Sequence, residues 1–167
     1  MAADLHAILK NTIAPALDLL PEKMTSGKSM VMLLAIGLQE SRFEHTHQIG
    51  GPAHSWWQFE RAGGVRGVIK SKATKEHALG LCYQRGIALN ESSVFGAMEH
   101  DQVLAAGMAR LLLWTDPRPL PKIGDAQSAW DCYLRNWRPG KPHPQTWGKL
   151  YDTAMFAVMR YQQDDAA

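Results

Sequence analysis

Glu40 is the residue of this chain whose setting points most directly to chemistry. It lies four positions after Ile36 and seven after Leu33, on the flank of an apolar helical face and near the C-terminal end of that helix. Partial burial there disfavours a charged carboxylate and raises its pKa. The negative end of the helix dipole pushes the same way. A carboxyl group that keeps its proton near neutral pH can protonate the leaving oxygen of a glycoside. The plainer role is an exposed helix-end Glu paired with Arg42. The segment C-terminal to it carries Gly50, Gly51, Pro52, Gly63, Gly64 and Gly67 with Trp56, Trp57 and Phe59 among them. Sugar rings stack on aromatic faces, so this segment is suited to form the opposite wall of a cleft. Most glycosidases use a second carboxylate. Glu44, Glu60 and Asp131 are the candidates, and Glu60, two residues past Gln58, is the best placed of them; a surface role is its alternative.

The stretch Gln39-Glu40-Ser41-Arg42-Phe43, with Gly51-Pro52-Ala53-His54-Ser55-Trp56-Trp57-Gln58 after it, resembles the lytic transglycosylases of the lysozyme superfamily, phage-borne members included. Their signature is a Glu-Ser pair at a helix end, then a Gly-Ala-x-Gly-Leu-Met-Gln segment. The Gln of that segment stands eighteen positions after the Glu, as Gln58 does after Glu40. Trp130-Asp131-Cys132-Tyr133 and Arg138-Pro139-Gly140 look like the family's later Ala-Tyr-Asn-x-Gly-Pro-Gly segment, with extra residues between Tyr and Pro-Gly. This chain departs from the pattern at Ser55, where the family has glycine, at Trp56-Trp57 in place of Leu-Met, and at Leu134 in place of Asn.

The resemblance implies cleavage of the β-1,4 bond between N-acetylmuramic acid and N-acetylglucosamine in peptidoglycan, without a cofactor. Glu40 would protonate the glycosidic oxygen. As carboxylate it would then take the proton of the sugar's own hydroxyl, closing a 1,6-anhydro ring with help from the acetamido group. In a hydrolytic lysozyme water attacks instead, with Glu60 the first candidate as partner. Ser55, Trp57, Gln58 and Tyr133 are the positions the resemblance puts at the substrate. Tyr133 would hold Glu40 or the sugar, or be a core tyrosine with a hydrogen-bonded tip. Gln58 would bind the N-acetyl group, or cap its own loop. Trp57 is either a sugar platform or the small core of its lobe.

The elements that must position these residues read as helices. Residues Leu5 to Leu20 form one helix or two short ones around Pro15, closed by Pro21, and Thr25 or Ser26 can cap the next helix. Met30, Leu33, Leu34, Gly37 and Leu38 have helical spacing. With Val31 and Ile36 the helix is apolar nearly all round, which places it at the centre of a fold. His45 to Gly67 reads as loops or at most a β-hairpin. Helices are expected from about Lys75 to Leu89, from about Glu99 to Trp114, and from the N-cap Asp125 to about Trp137. A last one carries Trp147, Leu150, Tyr151, Ala154, Met155 and Val158. The expectation is a mainly α, α+β lysozyme-like single domain over residues 1–167. Five to six or more helices surround the central one, and a small Gly/Trp-rich lobe forms one wall of a cleft.

Composition narrows the alternatives. The chain is 46% hydrophobic and 20% charged, with formal net charge +2, ordinary for a folded domain. The clustered Lys and Arg of a nucleic-acid binder are missing. No apolar run reaches the length of a membrane span, and Met-Ala-Ala-Asp-Leu-His does not open like a secretory signal. Synthesis in the cytoplasm is expected, with a separate membrane pore or virion proteins carrying the chain to the cell wall. Cys82 and Cys132 are expected as buried free thiols. His45, His47 and His54 lie close together, but no His-Glu-x-x-His or paired-cysteine pattern accompanies them, and a solvated loop is expected. Ser41 lacks a nucleophile elbow. A non-catalytic wall-binding or virion structural protein on the same scaffold, and a chitin-cleaving relative, are the competing functions.

Overall fold

In the computed structural model, which describes residues 2–167, the apolar segment around Leu33 is the central helix, α2 (Gly27–Ser41). It starts one turn earlier than the apolar spacing alone indicates, because Ser26 and Ser29 cap each other. The Ser26 hydroxyl accepts from the Ser29 N–H at 3.1 Å, and the Ser29 hydroxyl accepts from the Ser26 N–H at 2.9 Å. Such a reciprocal box satisfies two donors that no helical carbonyl can reach. Val31 through Leu38 are all buried. Among the described residues, seven more helices surround α2 and there is no strand.

Helix α1 (residues 5–18) is continuous through Pro15. The helix widens there into a π turn, Leu9–Ile13, in which the Ala14 N–H reaches back to the Leu9 carbonyl. A wide turn accommodates a proline ring and its missing N–H without breaking the helix. The chain then runs through α3 (residues 61–70), α4 (Lys75–Arg85), α5 (Glu91–Met98), α6 (Gln102–Thr115), α7 (Ala126–Trp137) and α8 (Pro144–Ala166). The most extensive helix pairing is α2 with α8, and α1 lies against α6. Leu9, Ile13 and Leu17 of α1, Leu104, Met108 and Leu111 of α6, and Tyr151, Ala154 and Val158 of α8 close around α2 into one core.

Three expectations are corrected. The Gly/Trp-rich lobe forms no hairpin, so the chain is all-helical rather than α+β; only isolated antiparallel bridges join His47 to His54 and His54 to Phe59. Left-handed backbone at Gly50, Ser55 and Gln58 turns the segment back on itself before a ladder can extend. Residues 61–67, within the stretch expected as loops, are helical and open α3, and Gly64 allows the Phe59 ring to lie where a Cβ would come within 2.8 Å of it. The expected helix ending near Leu89 stops at Arg85, because Gly86 takes φ +70 as its cap. Asn90 then starts the separate α5, and Asp101 starts α6.

Candidate active site

Glu40 stands in the last turn of α2, and the way that helix ends fixes what surrounds it. Arg42 and Phe43 both take left-handed backbone, at φ 55 and 58. The chain therefore doubles back, and the Phe43 ring covers Gly37 where a Cβ would approach within 2.3 Å. Ser41 fastens the turn: its hydroxyl donates to the Trp56 carbonyl at 2.7 Å and accepts from the Phe43 N–H at 3.1 Å. Gln39 fastens the other side, donating to the His143 carbonyl at 3.1 Å and accepting from the Thr146 hydroxyl at 3.1 Å. The carboxyl of Glu40 is thus held between the lobe and the start of α8.

Tyr133, from α7, donates its hydroxyl proton to Glu40 Oε1 at 2.6 Å. The ring is 3% exposed and stacks on Trp147 with centroids 5.4 Å apart. Burial pushes the Glu40 carboxyl up to about 7; the Tyr133 hydrogen bond opposes this, and the negative charge of Glu60 adds to it. Burial, with the Glu40 carboxylate beside it, also pushes the Tyr133 phenol well above its ordinary value, so it remains a donor at any physiological pH.

Both residues open onto a cleft of about 800 Å3, within the size range of ligand sites. Glu60 and Gln58 line it, as do Gly63, Gly64 and Gly67 along α3 and the segment from Arg138 to Lys141. Comparison with protein-family models, with curated proteins and with solved structures finds no match to this chain.

The structure brings Glu40, Gln58, Glu60 and Tyr133 to one cleft and keeps Ser55 and Trp57 out of it. Ser55 is fully buried, and its hydroxyl accepts from the Trp57 N–H at 3.2 Å. Its φ of +74 is a left-handed conformation that glycine adopts without cost and serine does not. Trp57 is also fully buried. Its indole N–H donates to the Leu33 carbonyl at 2.8 Å, and its own carbonyl accepts from the Trp137 indole at 2.9 Å. Of the two roles open to Trp57, its burial leaves the lobe core. Gln58 caps its loop by donating to the Ser55 carbonyl at 2.7 Å while lining the cleft. Of the other candidate acids, Asp131 accepts from Gln127 on the exposed side of α7, and neither it nor Glu44 lines the cleft.

Two groups escape the sequence. Ser41 reads there as half of the Glu-Ser pair and as a nucleophile without an elbow, and neither gives it a fastening role, although its place beside Glu40 is the available signal for one. Arg135 and Asn136 line the cleft and are both anchored on Asp116, each at 3.1 Å. Burial alone would raise the Asp116 carboxyl, but hydrogen bonds from the Arg118 N–H, Asn136 and Arg135 hold it below the usual range. The histidine segment is not a solvated loop throughout. His54 is only 12% exposed and stacks flat on Phe95 at 3.8 Å, and both His54 and His47 face Glu99.

Proposed function

We propose that this chain is a peptidoglycan-cleaving muramidase of lysozyme-like architecture, acting as a lytic transglycosylase with Glu40 as its one catalytic acid. The observation that carries the proposal is the Glu40–Tyr133 pair at the wall of the cleft, with a carboxyl whose pKa of about 7 keeps it substantially protonated near neutrality. Tyr133 occupies Oε1, so the acid proton belongs on Oε2, the oxygen free to meet a glycosidic bond. Transfer of that proton to the bridging oxygen breaks the C1–O bond, while the acetamido oxygen of the same sugar closes on C1. The carboxylate left on Glu40 is steadied by the Tyr133 hydroxyl, since hydrogen bonds to charged acceptors are the stronger ones. It then removes the C6 hydroxyl proton, and O6 displaces the acetamido oxygen to give the 1,6-anhydro product.

A hydrolytic lysozyme is the second reading, favoured by Glu60 lining the same cleft as Glu40. It differs only in the final nucleophile, a water activated by a carboxylate. Digestion of purified sacculi, with the released muropeptides read by mass spectrometry, separates the two. Anhydro-muramyl ends are expected; reducing ends heavier by one water would transfer the proposal to hydrolysis. Binding of sacculi without any release would overturn both and favour a non-catalytic protein on this scaffold. No described helix is long and apolar enough to cross a membrane. Access to the wall would come through a separate pore or by carriage in a virion.

A further inference from the structure

We infer that His47, His54 and Glu99 form a binding site for one divalent transition-metal ion of the zinc class, clamping the lobe to the junction of α5 and α6. One ligand atom from each, the two ring nitrogens and a carboxylate oxygen, lie within 4.8 Å of one another. His47 Nδ1 stands 3.2 Å from Glu99 Oε1, and His54 Nε2 stands 3.8 Å from Glu99 Oε2. Tetrahedral zinc with bonds of about 2.0–2.2 Å holds its donors roughly 3.4 Å apart; the two distances, one to each oxygen of the same carboxylate, lie near that separation, and the three donors would draw together from within 4.8 Å around the ion.

The orientation of His54 points to a ligand more strongly than proximity does. Its Nδ1 lies 2.8 Å from the Phe95 carbonyl oxygen, and a carbonyl can only accept, so Nδ1 carries the proton. In the neutral ring, Nε2 therefore presents a lone pair to the Glu99 carboxylate. In that form two electron-rich atoms face each other, and a cation between them, a second ring proton or a metal ion, relieves the opposition; only the metal ion would also draw on His47. Metal-binding histidines are oriented in this way, with the far ring N–H donated to a backbone carbonyl. Stacking on Phe95, with the planes 6° apart, fixes the ring as well. Glu99 also has His100 Nε2 at 3.8 Å, on a side chain 80% exposed, and the fourth position would fall to this ring or to water.

The consequence would be mechanical. Gln48, Ile49 and Ala53, which line the cleft, lie between the two histidine ligands, so an ion would close a short loop of cleft wall and tie it to the helices behind. The metal site does not depend on the reaction proposed for Glu40.

The test begins with protein stripped by a chelator and titrated with Zn2+ and with Co2+. One ion per chain is expected, with a rise in melting temperature, because binding to the folded state alone stabilises it. X-ray absorption of the zinc-loaded protein is expected to show two imidazoles in the coordination shell. His47→Ala and Glu99→Gln should each weaken binding by more than the roughly 10–100-fold that loss of an outer-shell partner costs. His77→Ala, remote from the cluster in sequence and half-buried on α4, should leave binding unchanged. The inference fails if no ion binds, if fewer than two imidazoles are found, or if His47→Ala and Glu99→Gln, shown folded by circular dichroism, bind like the parent protein. The absorption measurement needs no variant, so a misfolded substitution does not rescue the idea.

Discussion

A carboxyl group raised to about 7 from 4.5 ties stability to pH, and under the proposed mechanism activity as well, and replacing it with its amide cuts both ties. The folded-state pKa stands above the unfolded one. The associated stability is therefore fully present below pH 4.5 and lost as pH rises through about 7, a loss of as much as ~3 kcal/mol before solvent screening. Glu40→Gln is neutral at every pH. It should match the parent in melting temperature near pH 4 and exceed it near pH 8, a comparison made by calorimetry at the two values. The same substitution removes the proposed acid, and turnover on sacculi should fall by about 10²–10⁴-fold; near-full activity would sink the assignment of Glu40. Parent activity should decline as pH passes about 7, where the acid form is lost. Tyr133→Phe keeps the stacked ring but deletes a hydrogen bond that lowers the Glu40 pKa. The alkaline limb of its pH–rate profile should move to higher pH, with a lower maximum because the carboxylate has lost its donor.

Helix ends, more than helix middles, build the site. The close approach of Phe43 to Gly37 allows the chain to reverse directly after Glu40. Gly37→Ala would raise intrinsic helix propensity by about 1 kcal/mol, yet its Cβ would stand 2.3 Å from the Phe43 ring. Overpacking of this kind costs about 1–3 kcal/mol, so a net loss is expected in urea denaturation, and a gain in stability would contradict the packing described. Legibility in the sequence divides the same way. Central α2 and terminal α8 are readable because long apolar periodicities declare a buried face. Helix α5 is not, since only Val94 and Met98 are buried among Ser92, Ser93 and Gly96. Helix α3 is hidden behind glycines whose purpose, space for Phe59, is visible only in three dimensions. Physics alone does not foretell the Glu40–Tyr133 hydrogen bond, for the two lie far apart along the chain; only the resemblance offered it, as one of Tyr133's alternative roles. Glu99 cannot be joined to His47 and His54 from sequence for the same reason.

At the scale of the molecule, one core joins all eight helices and leaves no thiol accessible. Cys82 and Cys132 are free and buried, and burial pushes the Cys82 thiol up to about 11. Thiol reagents act on the thiolate, so both cysteines should stay unlabelled in native protein and react together when it unfolds. Fast labelling of either one in native buffer would show that its helix opens locally. The thread of indole hydrogen bonds through the middle of the fold has a consequence of another kind. Trp137 donates to Trp57, Trp57 donates to α2, and among the six tryptophans only Trp137 borders the cleft. Its emission is therefore a built-in optical gauge of cleft occupancy. A sugar entering the cleft should shift the protein's fluorescence through that one ring, while the other five indoles supply a constant background.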